Sequence, residues 1–322
     1  MSDIHSPPIV VGTRGSDLAL VQATATEAAL AEAFPNIPFS RKVIKTTGDR
    51  RTDVSLSEVA KAEGTFDKGV FIKELEEALD SGEIDIAVHS LKDMPTTLEE
   101  RFEIAAVLER APVRDILVTR QPGGIEALPE GARIGTSSVR RAMQIKWLRP
   151  DLTIHDIRGN VPTRLKKLAE GSDYDAILLA EAGLIRLGLI PLSSEEDAKS
   201  EFVKGFQDLH VERLAEQSFL PAAGQGAIAL EIRSHDARSR VLAHTIGHAE
   251  TWIRIRAERE FLRLLNGGCH TPVGVSSSIV GEQLHLKAIV FPETGGTPRT
   301  ADASGLANDP IALAFQLFKS LS

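Results

Sequence analysis

Residues 266–274 read NGGCHTPVG and hold the only cysteine in a chain of 322 residues. Gly267 and Gly268 free the backbone for unusual dihedrals and let something bulky approach the sulfur. His270 is a tempting base for Cys269, but neighbours on an extended chain point to opposite sides, so a Cys-His dyad is not expected. A lone cysteine elsewhere reads as a small buried apolar residue. Here the glycines favour a thiol held on a loop for covalent attachment.

A second candidate closes the apolar run IDIAVHS, which is followed by Leu91, Lys92 and Asp93. Ligands of open α/β sheets bind at the carboxyl ends of strands, where a lysine and a carboxylate are site candidates. A solvated Lys-Asp pair is the plain alternative. Asp93 could stabilise a cationic intermediate or, partly desolvated, take part in acid-base work.

GTRGS at 12–16 and GTSSVRR at 135–141 both follow apolar strands and precede helices. Such loops aim N–H groups, hydroxyls and a helix N-terminus at an anion. Neither matches a dinucleotide fingerprint or a Walker loop, so no nucleotide is implied. One loop in each half suggests two facing parts of one anion-binding cleft. Arg140, Arg141, Arg158, Arg164 and Arg186 fall at helix starts or strand ends, and several guanidinium forks together favour a polycarboxylate or phosphate ligand.

The elements that must position these groups alternate. Ile9 to Ser90 reads β-α-β-α-β, the pattern of a doubly wound sheet, and a Pro-containing charged segment, Arg110 to Arg114, reads as a linker. A second α/β unit follows from about 115, with strands at ARIGTSS, TIHDI and AILLA. Residues 191–217 turn polar and acidic and read as a surface excursion with weak helices. The strand in GAIALEI is expected to rejoin an earlier sheet. From about 249 a long amphipathic helix, three strands and a terminal helix predict a small α+β domain.

The totals exclude some classes. A net charge of −8 and an aromatic content of 5% argue against nucleic-acid binding, including through VRRAMQIKWLR. The N-terminus MSDIHSPPIV has no signal-peptide pattern and no membrane span is apparent, so a cytoplasmic protein is expected. The histidines show no zinc-type spacing, and no metal is expected.

These motifs together resemble a known family. AEREFLRLLNGGCHTPVG is similar to the cofactor-attachment signature of the porphobilinogen deaminases (hydroxymethylbilane synthases), with Glu258, Arg259, Gly267, Gly268, Cys269, Thr271, Pro272 and Gly274 at its positions. TRGSDLALVQA, GVFIKELE, DIAVHSLKDMP, GTSSVRRAMQ, IRGNVPTRL, DAILLAEAGLIRLG and LPAAGQGAIALE resemble it in the same order, from residue 9 to about 274. The resemblance implies that Cys269 carries a dipyrromethane cofactor through a thioether. On that primer four porphobilinogen units would be joined head to tail with loss of ammonia, and hydroxymethylbilane released by hydrolysis.

It further implies that Lys92, Asp93, Ser138, Arg140, Arg141 and Arg158 bind the cofactor. Arg14, Ser16, Phe71, Arg158, Arg164 and Arg186 would bind substrate, whose acetates and propionates need cationic partners. Asp93 matches the catalytic aspartate. The implied fold is α/β: two doubly wound domains like those of periplasmic binding proteins, hinged across a cleft, plus a small C-terminal α+β domain. Its boundaries would be 1–110 with a returning segment near 224–246, 111–223, and 247–322. Domain shifts would make room as the chain grows from two pyrroles to six, and a monomer is expected. The stretch KAEGTFDKGVF from Lys61 departs from the family pattern by extra residues, Glu63 and Asp67 among them. The alternative from another class is a non-enzymatic anion-binding module of the same architecture, which leaves Cys269 without a role.

Overall fold

The computed structural model describes residues 7–50, 71–192, 201–266, 271–292 and 296–321. Cys269 with its neighbours 267–270, and the departing stretch from Lys61 to Val70, lie outside the described residues.

Along the chain, β1 (Ile9–Arg14) leads into α1 (Asp17–Ala33), then β2 (Phe39–Ile44) and a single turn α2 (Thr47–Arg50). Helix α1 starts where Ser16 accepts the Ala19 N–H, an N-cap, with Asp17 in the first turn. Ala19, Ala23, Thr26 and Leu30 recur at helical spacing and are its buried face. Helix α3 (Lys73–Asp80), β3 (Ile86–Ser90) and β4 (Phe102–Val107) follow. The next stretch holds β5 (Asp115–Thr119), β6 (Arg133–Gly135), α4 (Val139–Leu148), β7 (Thr153–His155), α5 (Val161–Glu170), β8 (Ala176–Ala180) and α6 (Glu181–Arg186). The chain ends through β9 (Glu201–Val203), β10 (Phe206–Arg213), β11 (Ile228–Arg233), α7 (Ala237–Ile246), α8 (Ala249–Leu264), β12 (Val273–Val280), β13 (Gln283–Val290), β14 (Arg299–Leu306) and α9 (Pro310–Ser320).

Two compact units result: residues 1–110 with 227–253, and 111–226 with 254–322. The first carries the sheet β2-β1-β3-β11-β4. Its first three strands are parallel, while β11 runs antiparallel to both β3 and β4. The strand after the GQG turn therefore does rejoin the earlier sheet, in its interior. Ile9, Val11, Leu30, Ile86, Val88, Leu230 and Leu242 form the core beneath it.

The second unit repeats the plan. Its sheet runs β7-β6-β8-β5-β10-β9, with β6, β7 and β8 parallel and β5 and β10 antiparallel. Apolar clusters cover this sheet around Ile116, Ile177 and Leu179, and around Leu117, Ile134 and Leu178, as a sheet with two covered faces requires. The three-stranded antiparallel sheet β12-β13-β14, backed by α9, belongs to the same compact unit.

One expectation is corrected. The stretch within 191–217 is not helical where it is described, because 201–203 and 206–213 are paired strands and β10 joins the main sheet through β5. The reason is burial at alternate positions: Leu209, Val211 and Arg213 face inward from β10 while Asp208 stays out.

Candidate functional site

Asp93 stands on a single 3-10 turn, Leu91–Asp93, that ends β3. Leu91 donates its N–H to the Ala227 carbonyl at 3.1 Å, and Met94 donates back to Leu91 at 3.0 Å. Leu91 and Met94 are buried, at 1% and 4% exposure, and hold both ends of the turn in the core. The residues between them are pushed outward, leaving Lys92 half-buried and Asp93 exposed.

Asp93, Arg14, Ser16, Gln22, Phe71 and His89 line one pocket of the first unit. It opens where β1 and β3, both parallel strands, reach their carboxyl ends, the position at which α/β sheets take ligands. Gln22 is buried and exchanges hydrogen bonds with Ser90, Nε2 to Oγ at 2.9 Å. The Phe71 ring lies over the Arg14 guanidinium, 3.9 Å from ring centroid to Cζ. Behind the wall, His89 Nε2 lies 2.9 Å from Oε2 of fully buried Glu231. Nearby, Glu76 is pushed up to about 7, first by burial, then by the charges of Glu231 and Glu99, against the opposing influence of His89 and Arg101.

The second unit gathers cations. Ser138 caps α4, accepting the Arg141 N–H, as Ser16 caps α1. The loop before it is tied to the loop after β7: Thr136 donates its N–H to the His155 carbonyl at 2.9 Å, and Ser137 Oγ to the Ile157 carbonyl at 2.6 Å. Ser138 and Arg158 therefore come from neighbouring loops at the carboxyl ends of a parallel strand pair. Desolvation lowers the Arg158 pKa, opposed by Asp156. Arg164, in the first turn of α5, donates Nε to the Gly159 carbonyl at 2.8 Å.

Arg140 and Arg141 are buried, and both guanidiniums close on Asp115. Arg140 Nη1 reaches Oδ2 at 2.6 Å, while Arg141 lies against Oδ1 with Nη2 at 2.7 Å. Arg140 also donates to the Leu220 carbonyl and Arg141 to that of Leu178. Asp115 is 0% exposed. Glu181, equally buried, repeats the pattern between Arg114 and Arg213, at 2.8 and 2.7 Å. Each trio sets two cations against one carboxylate. Arg186 lies not at a helix start or strand end, as expected, but at the last residue of α6; it donates Nη2 to the Gly226 carbonyl at 2.7 Å, and burial pushes its pKa down to about 10.

Two of the described signature residues, Glu258 and Gly274, act as fasteners. The buried carboxylate of Glu258, on α8, accepts the Gly224 N–H at 2.8 Å and the Ser277 hydroxyl. Gly274 passes so close to Leu220 that a Cβ there would meet its Cβ at 2.7 Å and its carbonyl oxygen at 2.9 Å. Past Leu264, Asn266 takes φ 52, a left-handed position that asparagine tolerates. Both ends of the segment bearing Cys269 are thus fixed, one by α8 and the other by β12.

Sequence reasoning missed Asp115, Glu181, Gln22 and Gln225. Gln225 donates Nε2 to the Val113 carbonyl at 2.7 Å and to Asp115 Oδ1 at 3.2 Å. The available signal was a single acid at the head of the apolar strand DILVT, since such an acid is buried only when paired.

This is an α/β protein of two similarly built units, one carrying an exposed acid in a pocket and the other an arginine-rich, partly desolvated set of loops suited to a small polyanion. The chain belongs to the porphobilinogen deaminase family. Residues 9–241 match the family described as porphobilinogen deaminase, dipyromethane cofactor binding domain, and residues 252–322 match its C-terminal domain. A porphobilinogen deaminase of Desulforudis audaxviator is 44% identical over 96% of this chain and 92% of its own. That of Chlorobaculum parvum is 40% identical over 98% and 97%, and that of Syntrophobacter fumaroxidans 43% over 88% and 84%. The matches support the condensing enzyme and lend nothing to the anion-binding module. No helix among the described residues is long and apolar enough to cross a membrane.

Proposed function

We propose that this chain condenses four porphobilinogen units head to tail and releases ammonia and hydroxymethylbilane, as a monomer in the cytoplasm. Family membership carries the reading, and the chemistry of the side chains in each unit supports it. Each substrate brings an acetate and a propionate, and the cations offered are of the kind such anions need. Burial desolvates Arg186, and Arg140 and Arg141 both close on Asp115. These residues fit a dipyrromethane bearing four carboxylates.

When bound through the Cys269 thioether, that group supplies a nucleophilic pyrrole carbon as the starting point of the chain. We assign Lys92, Ser138, Arg140, Arg141 and Arg158 to holding its carboxylates, and Arg14, Ser16, Phe71, Arg158, Arg164 and Arg186 to those of incoming porphobilinogen. Asp93 is the catalytic residue. As the substrate's C–N bond breaks, ammonia leaves with the electron pair and positive charge spreads onto the pyrrole nitrogen. The Asp93 carboxylate accepts that N–H and stabilises the charge until a new C–C bond forms. The proton given up by the attacking pyrrole carbon leaves with the ammonia as ammonium.

Purified protein given porphobilinogen should consume it and, after acid and oxidation, show uroporphyrin absorbance. No consumption by protein carrying its cofactor would defeat the proposal.

A further inference from the structure

We propose that Gly48 is a positioning residue for Arg14, acting through the ring of Phe71. The kinetic part of this inference rests on the function proposed above; its geometry does not.

Arg14 has a long, rotamer-rich side chain at the mouth of the pocket that holds Ser16 and Asp93. Ordering such a side chain before the ligand arrives removes an entropic cost from binding. The Phe71 ring lies 3.9 Å from the guanidinium. A guanidinium with a face against an aromatic ring keeps its edge N–H groups available for a carboxylate fork.

The ring's own place is set from the other side. Glu74, in the first turn of α3, accepts both the Thr47 N–H at 2.6 Å and the Thr47 hydroxyl at 2.7 Å through Oε1. These two hydrogen bonds from one residue to one acid draw the turn at 47–48 against the segment carrying Phe71. At the point of contact there is no side chain. A Cβ at residue 48 would sit 2.8 Å from Phe71 Cζ and closer still to Cε1 and Cδ1. The ring therefore occupies the volume that any side chain at 48 would take, and it lies over Arg14 because glycine leaves that volume to it. Gly48 is buried, yet its ordinary use as a packing glycine does not account for an aromatic ring that is itself part of the pocket wall.

The test is a double-mutant cycle of Gly48→Ala and Phe71→Leu on cofactor-loaded protein, with the Arg14 Nε–H resonance followed by NMR and assigned by its loss in Arg14→Lys. Gly48→Ala should raise KM for porphobilinogen about three- to tenfold with kcat within about twofold, because the ring-supported arginine contributes uniform binding. It should move the Arg14 resonance out of the ring-current field, and should add nothing to KM once Phe71 is leucine. Thr47→Val, a milder change should the alanine variant fail to fold, is expected to shift both readouts in the same direction and likewise lose its effect without the ring. Equal KM increments with and without the ring, or an unmoved resonance in a folded variant, would overturn the proposal. Wild-type protein that ignores porphobilinogen would count against the function alone, since the resonance still reports on Arg14.

Discussion

Two kinds of acid, one in each compact unit, are placed in opposite ways. In the first, the acid assigned to the chemistry stands exposed on a three-residue turn, and its neighbouring arginine is steadied by a ring. In the second, Asp115 and Glu181 are 0% exposed and each is gripped by two guanidiniums. A group that must meet successive substrates needs access. A standing positive field needs the reverse, because buried charges are screened little and must be cross-linked to remain buried. Each trio sets two guanidiniums against one buried carboxylate.

The contrast can be broken at several points. Asp93→Asn should reduce turnover by about a hundredfold or more while leaving the melting temperature almost unchanged, as befits an exposed position. Normal turnover would remove Asp93 from the chemistry. Asp115→Ala should do the opposite, costing about 3–5 kcal/mol in urea unfolding because Arg140 and Arg141 are left buried without their acid; a loss below about 1 kcal/mol would mean that the trio is not what holds them. Gly274→Ala should cost about 1–3 kcal/mol by driving β12 off Leu220, and an unaffected unfolding curve would show that this approach is loose.

The smallest effect concerns Glu76. Its carboxyl is raised from 4.5 to about 7 by burial and then by Glu231 and Glu99, so the folded state binds its proton more tightly than the unfolded chain does. That contribution is fully present below about 4.5 and is lost as pH rises through about 7. For a half-buried group it amounts to about 1 kcal/mol after allowance for solvent screening. Unfolding free energies of Glu76→Gln across this window should show a flatter pH dependence than those of wild type; parallel curves would refute the assignment.

Much of this was legible in the chain. IDIAVHS followed by Lys92 and Asp93 gave both the strand and the acid at its end, since a run with Ile84, Ile86, Ala87 and Val88 buried gives way directly to two charged residues. The return of GAIALEI to the first sheet was legible because the run is too apolar for an edge. Strands β9 and β10 were not: FQDLHVER buries only alternate side chains, one of them an arginine, and an acidic stretch precedes it. The pairing of Arg140 and Arg141 with Asp115 was also hidden, because the acid lies 25 and 26 positions away and only the fold brings them together. Glu258 and Gly274 stood out as signature positions, whereas their contacts with Gly224 and Leu220 are tertiary.

The most direct measurement of the central claim is the intact mass of the denatured protein, before and after incubation with porphobilinogen, beside a Cys269→Ser variant. The predicted result is a mass exceeding the polypeptide by two linked pyrroles, absent from the variant. A bare polypeptide mass that stays bare after incubation would contradict it.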